Sequence, residues 1–265
     1  MEVTTHEPGT FCWFELGTTD GPGAKAFYTE LLGWDADDVS MDHGVYVMLS
    51  KEGKGVGALY ELFEEQKEQG VRPHWLPYVS VEDMDATVEK ATALGAEVLS
   101  PAMDVYDYGR MAVLKDPTGA TIALWQPQQH HGVDLLNASG SNCWNELATT
   151  DREAAVAFYT ALFGWGTQEQ DMGEAGTYTI FTRGEAMAGG MMQMTDEWGE
   201  APSHWMTYIA VDDCDATAEK VNALGGKVCV PPTDIPDVGR FAVLDDPQGA
   251  AFSILKPLPM PVNAA

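Results

Sequence analysis

Two glutamates, Glu15 and Glu146, each stand between aromatic and aliphatic neighbours, in Phe11-Cys12-Trp13-Phe14-Glu15-Leu16 and Asn142-Cys143-Trp144-Asn145-Glu146-Leu147. Both stretches read as β-strands, and a carboxylate so placed can act as a proton-transfer base once burial raises its pKa. The competing role is structural, with the charge satisfied by Arg110, Arg240 or backbone donors. His74 and His204 each precede a tryptophan and could bind a ligand, a metal or an acid partner, or simply hydrogen-bond at a strand's entry. Arg110 and Arg240, two of 14 basic residues, could grip a carboxylate or phenolate bidentately or close a salt bridge. Trp13, Trp144, Tyr78 and Tyr208 offer rings for stacking on a flat ligand or for packing between repeats. The stretch Gly189-Gly190-Met191-Met192-Gln193-Met194 reads as a pocket wall or a buried strand, and His130-His131 as a solvated part of a linker.

These residues come in pairs because the chain is a repeat. A shift of 131 residues superposes Cys12-Trp13 on Cys143-Trp144, Thr18-Thr19-Asp20 on Thr149-Thr150-Asp151 and Ala26-Phe27-Tyr28-Thr29 on Ala157-Phe158-Tyr159-Thr160. A shift of 130 then matches His74-Trp75 to His204-Trp205, Gly109-Arg110 to Gly239-Arg240 and Asp116-Pro117 to Asp246-Pro247. Duplication of one domain follows, with domains at 1–127 and 141–260 and a linker at 128–140. Within the first repeat the pattern predicts a strand at 11–16 and a helix at 22–32 ended by Gly33, then strands near 36–41, 45–50 and 54–62. The order then recurs: strand 74–81, helix 83–94 opened by Asp83, and strands near 97–101, 110–115 and 120–126. Asp116-Pro117-Thr118-Gly119 is a turn that makes a hairpin of the last two.

Composition bounds the rest. In 265 residues, 45% hydrophobic, 41 acidic against 14 basic side chains leave a formal charge of −27, which repels nucleic-acid phosphates and anionic membrane surfaces alike. No apolar run approaches the roughly 18 residues of a membrane span. Met1 to Pro8 lacks the basic and apolar regions of a secretory signal, and four scattered cysteines read as reduced thiols, so a cytoplasmic location is expected.

Paired strand-helix-strand-strand-strand modules carrying Thr18-Thr19-Asp20, Ala26-Phe27-Tyr28, Gly33-Trp34 and a second half with Asp85-Ala86-Thr87, Leu94-Gly95, Gly109-Arg110 and Asp116-Pro117 resemble the vicinal oxygen chelate superfamily. That family comprises glyoxalase I, bleomycin-resistance proteins and extradiol dioxygenases, and the likeness is greatest to its tandem two-domain glyoxalase-like branch. The resemblance implies an α+β fold: two tandem domains, each of paired βαβββ modules curling eight strands into an open cup with helices outside. Strand alternation then turns Phe11, Trp13 and Glu15 into the first cup, with His74, Leu76, Tyr78, Thr121, Ala123 and Trp125. In the second cup Asn142, Trp144, Glu146, His204, Met206, Tyr208, Ala251, Ser253 and Leu255 follow.

Metal-dependent members take ligands from the first, fourth, fifth and eighth strands. Here those places fall on Phe11 or Asn142, Gly57 or Gly190, Leu76 or Met206 and Ala123 or Ser253, which predicts no metal ligands and no cofactor; a strand register one residue out would bring a divalent metal back. The expectation is a cup that binds a small aromatic or carbonyl-bearing organic molecule through Trp13, His74, Tyr78, Arg110, Trp144, His204, Tyr208 and Arg240. The alternative is a glyoxalase-like lyase or isomerase, or a hydroxylase-type enzyme, in which Glu15 or Glu146 moves a proton beside a divalent metal. Related single domains pair as dimers, so the fused repeat is expected to satisfy that pairing internally and remain a monomer.

Overall fold

The computed structural model describes residues 1–41, 44–173 and 176–258. The last two residues of the second expected domain, 259–260, lie outside the described residues.

The first repeat runs β1 (Phe11–Thr18), α1 (Gly21–Leu32), β2 (Asp35–Met41), β3 (Gly44–Lys51), β4 (Lys54–Glu61), α2 (Glu64–Glu68), β5 (His74–Ser80), α3 (Met84–Ala93), β6 (Glu97–Val105), β7 (Gly109–Lys115) and β8 (Thr121–Pro127). The second runs β9 (Asn142–Thr149), α4 (Arg152–Phe163), β10 (Gly166–Asp171), β11 (Thr177–Arg183), β12 (Ala186–Gln193), β13 (His204–Ala210), α5 (Cys214–Ala223), β14 (Lys227–Ile235), β15 (Gly239–Asp245) and β16 (Ala251–Pro257). Each repeat forms one open eight-stranded sheet, ordered β2-β3-β4-β1-β5-β8-β7-β6 and β10-β11-β12-β9-β13-β16-β15-β14. The first strand of each module lies at the centre, where β1 pairs antiparallel with β5 and parallel with β4.

Local chemistry sets the helices. Asp20, Asp83, Asp151 and Asp213 are N-caps, each accepting a hydrogen bond from the backbone N–H three residues on. Gly33 and Gly164 end α1 and α4 at φ 64° and 70°, a left-handed conformation that favours glycine. The buried residues of α1, Ala24, Phe27, Tyr28, Leu31 and Leu32, follow a helical period and form the stripe that enters the core. The short α2 has no counterpart in the sequence reading.

Strand alternation fails at the start of β1. The β1–β5 register slips between Phe11 and Trp13, and this bulge turns Phe11 out of the cup, onto Trp165 and Trp205 of the second repeat at ring-centroid distances of 6.0 and 5.2 Å. The matching slip in β9, between Asn142 and Trp144, accompanies a pair of reciprocal side-chain hydrogen bonds, at 3.1 and 3.2 Å, between Asn142 and Asn145. The expected inward positions of Phe11 and Asn142 are therefore corrected.

The two repeats lock together through reciprocal contacts. Tyr28 donates to Asp246 Oδ2 at 3.1 Å and accepts from Trp75 Nε1 at 2.9 Å; Tyr159 donates to Asp116 Oδ2 at 2.7 Å and accepts from Trp205 Nε1 at 2.8 Å. The other oxygen of each aspartate accepts backbone N–H groups of its own Asp-Pro turn, from Thr118 and Ala120 or Gln248 and Ala250. Trp34 and Trp165 donate across the interface to the carbonyls of Gly140 and Gly9, the residues that lead into β9 and β1. The connecting segment is equally fixed: Val133 is buried and donates to the Cys12 carbonyl, which a Cβ at Gly132 would overlap.

Removing one hydroxyl from this lock strands a buried carboxylate oxygen, so Tyr28→Phe and Tyr159→Phe should each lower unfolding stability by about 1–3 kcal/mol. Urea denaturation checks this; both variants matching the parent would show that the lock is idle.

Candidate functional site

Beyond the bulge, Trp13 and Glu15 point into the cup, and the neighbouring strands bring polar partners to the carboxylate. Glu15 accepts from the Tyr46 hydroxyl on β3 at 2.6 Å and from the Tyr78 hydroxyl on β5 at 3.0 Å. Trp13 Nε1 donates in turn to Tyr46 Oη at 3.1 Å. The second repeat builds the same four-residue unit: Glu146 accepts from Tyr178 at 2.6 Å and Tyr208 at 2.9 Å, and Trp144 Nε1 donates to Tyr178 Oη at 2.9 Å. Gly190 belongs to that unit by its size, because a Cβ there would overlap Tyr178 Oη.

Burial sets the chemistry. Loss of water raises the carboxyls of Glu15 and Glu146 above the ordinary glutamate value, and the tyrosine hydrogen bonds only partly offset this. Desolvation, then the nearby carboxylate, pushes Tyr46, Tyr78, Tyr178 and Tyr208 well above the usual phenol range, and Tyr60 up to about 12. The phenols thus remain neutral donors at physiological pH.

An open cavity of about 2090 Å3 takes in the first cup, with Trp13, Glu15, Tyr46, Tyr60, Tyr78 and Trp125 in its lining, and runs on to α1 at Pro22, Lys25, Ala26 and Thr29. It exceeds the roughly 300–1,000 Å3 of an ordinary small-molecule site. It also extends past the cup's lip to Pro202–Trp205 at the start of β13.

His74 lines this cavity and hydrogen-bonds through Nδ1 to the Arg72 carbonyl at 2.8 Å; burial lowers its pKa. A carbonyl only accepts, so the ring proton sits on Nδ1 and Nε2 is left as an acceptor. His204 makes the equivalent contact to the Pro202 carbonyl at 2.9 Å and lies on the far lip of the first cavity. His130, read from the sequence as solvated, is instead half-buried beside Trp13, with ring centroids 4.8 Å apart, and it lines the cavity. Its carbonyl accepts from Trp125 Nε1 at 2.9 Å.

The arginines lie elsewhere. Arg110 forms a bidentate pair with Asp85 on α3 at 2.8 and 3.0 Å and approaches Asp104 at 3.2 Å. Arg240 pairs with Asp215 at 2.7 and 2.8 Å and with Asp234 at 2.9 Å. Met111 and Val113 face the cavity, so alternation on β7 turns Arg110 to the helix side. The expectation that Arg110 and Arg240 neutralise the two glutamates is corrected: tyrosine hydroxyls hold Glu15 and Glu146, and both arginines are held in the salt bridges that the sequence reading gave as their other role.

The residues do not fit the family's usual metal centre. Register places Ala58 and Leu76 across from Glu15, and Ala123 across from Tyr78; in the second repeat Gly190, Met206 and Ser253 take these positions. The fourth-strand place is thus Ala58 rather than Gly57. Hydrocarbon at three positions of the first repeat leaves a borderline cation without its nitrogen and oxygen donors there, and the second offers only a thioether and a hydroxyl beside Glu146. Among the described residues no three His, Cys, Asp or Glu side chains come together as a metal-holding group.

Tyr46 and Tyr178 escaped the sequence reading, although Gly44-Val45-Tyr46 and Gly176-Thr177-Tyr178 repeat at a spacing of 132. Because the folded pKa of Glu15 is raised, its protonated form favours the native state. That stability is complete below the unfolded pKa and is lost as pH rises through the folded one. Glu15→Gln removes this dependence, so the variant's stability relative to the parent should rise with pH across the acid range and then level off. Denaturation at a series of pH values checks it, and a pH-independent difference would contradict the buried-carboxylate account.

Relatives agree with this architecture. The chain is 44% identical over 256 residues to "Putative glyoxylase CFP32" of Mycobacterium tuberculosis, covering 96% of this chain and 97% of that one. It is 35% identical over 265 residues to the anthracycline biosynthesis protein DnrV of Streptomyces peucetius, covering 96% and 95%. The Mn(II)-bound glyoxalase of Novosphingobium aromaticivorans shares the fold, with a TM-score of 0.64, 14% identity and coverage of 97% and 86%. With family matches over residues 10–124 and again over 143–254, the chain belongs to the Glyoxalase/Bleomycin resistance protein/Dioxygenase superfamily.

Proposed function

We propose that the first cup binds a small organic molecule with a flat aromatic or carbonyl-bearing skeleton, and does so without the family's usual metal centre. The observation that carries this reading is the Trp13–Tyr46–Glu15–Tyr78 unit at an aromatic-lined cavity, with hydrocarbon where metal ligands would stand. Rings supply broad apolar contact at low entropic cost, and a few fixed polar groups orient what they hold. The anthracycline-biosynthesis relatives support a fused-ring ligand, and the size of the cavity accommodates one.

The second reading is a glyoxalase-like lyase or isomerase, or a hydroxylase-type enzyme, using a divalent metal. The raised carboxyl of Glu15 favours it, since burial makes the carboxylate a stronger base for taking a proton from carbon. Under either reading the chain acts as a monomer, because the interface between the repeats occupies the pairing surface. Four free cysteines suit the reducing cytoplasm, and no helix among the described residues is long and apolar enough to cross a membrane.

Titration with flat fluorescent aromatic compounds should give saturable binding that survives chelator treatment, and Trp13→Ala should weaken it about ten-fold or more. Loss of binding with the chelator, or metal-dependent turnover of a hemithioacetal by the refilled protein, would replace this reading with the second.

A further inference from the structure

The donors and acceptors of the first cup form an unbalanced set. Trp13 gives its one N–H to Tyr46, and Tyr46 and Tyr78 each give their one O–H to Glu15. Every hydrogen of the unit is therefore spent inside it, two of the three on the carboxylate. What remains toward the cavity is the unused lone pairs of Glu15 and Tyr78. On the same face of β5, two residues beyond Leu76, His74 adds a bare Nε2, its proton being committed to the Arg72 carbonyl. Tyr60 keeps a hydroxyl proton, since its oxygen accepts from Gln66 Nε2 at 3.2 Å, but Met192 takes its place in the second repeat.

Charge is unbalanced in the same sense. Among the described residues no lysine or arginine pairs with Glu15 or Glu146, and their surroundings lower their pKa only through neutral tyrosines. On the rim Lys25 is held by Asp38 and Lys67 by Glu64, while Arg72 is exposed to solvent. A desolvated carboxylate without a cation costs free energy that a cationic partner recovers. The four-residue unit is identical in both cups, whereas the positions around it have diverged: Leu76 to Met206, Ala123 to Ser253, Trp125 to Leu255. The part kept is the part that presents acceptors.

Resting on the reading of the cup as an organic-ligand site, we propose that its ligand is a cation: an aromatic molecule bearing a protonated amine, whose N–H groups are received by Glu15 with Tyr78 and His74 as auxiliary acceptors. The ammonium supplies the counter-charge that the fold withholds. Bound, it holds Glu15 ionised, so uptake at a pH where the free carboxyl is protonated releases a proton. The groups facing Glu15 are Tyr46, Tyr60 and Tyr78, kept neutral by their raised pKa, with His74 beyond them and His130 beside Trp13, both imidazoles lowered by burial.

The test compares three anthracene probes of one shape: 9-(aminomethyl)anthracene, 9-anthracenemethanol and 9-anthracenecarboxylate, titrated at two salt concentrations to separate the cup from the general attraction of an acidic protein. The expected order is amine, then alcohol, then carboxylate. Glu15→Gln should weaken the amine roughly 10- to 100-fold, the scale of a charge-assisted hydrogen bond, and change the alcohol less than about two-fold. If that variant does not fold, the parent carries the test alone: its amine preference over the alcohol should grow with pH through the ionisation of Glu15, with proton release seen in buffers of different ionisation heat. Equal binding of amine and alcohol, or tighter carboxylate binding, overturns the cation assignment and leaves the organic-ligand reading standing. Failure of all three probes to bind overturns both.

Discussion

Two aspartates, Asp116 and Asp246, hold the molecule in one piece. Each ties its own hairpin turn with one carboxylate oxygen and the other repeat's tyrosine with the second, so hairpin geometry and domain pairing cannot vary separately. The tryptophan that feeds each tyrosine belongs to β5 or β13, the central strand lining each cup. Trp75 and Leu76 are consecutive, one facing the interface and the other the cavity, so the packing that joins the repeats also fixes the strand that shapes the site.

The cup follows a second, tighter constraint. A carboxylate placed among rings needs donors, and strand order decides which residues can supply them. β1 lies between β4 and β5, with β3 next beyond β4, and the long reach of tyrosine lets hydroxyls from β3 and β5 meet the one side chain from β1. Shorter side chains on the same strands could not close that gap. Gly190 shows the tightness of the fit, since the space that a methyl group would take is filled by the Tyr178 hydroxyl.

The sequence carried the architecture well, because duplication, capping aspartates and the Gly33 and Gly164 stops are local signals. It also carried Trp13, Glu15 and Tyr78, since strand alternation assigns faces. It misplaced Phe11, because a bulge inverts the face of one residue and leaves no mark in composition. Tyr46 was legible in the repeat but lies on a strand outside the strongest identities. Arg110 looked like a ligand group by its scarcity in an acidic chain; Asp85, 25 residues earlier, was the nearer explanation. His130 could not be placed from sequence, because only the folded linker brings it to Trp13.

Fusion changes what a substitution can do. In a pair of identical subunits every exchange is made twice, so both cups must change together. In this single chain, a replacement at Trp125 leaves Leu255 untouched, and Tyr60 can differ from Met192. The contacts between the repeats remain bound to each other by complementarity, while the two cups are released from symmetry. One polypeptide can thus keep a shared hinge of tyrosines and aspartates and offer two differently walled chambers, specialising one without surrendering the other.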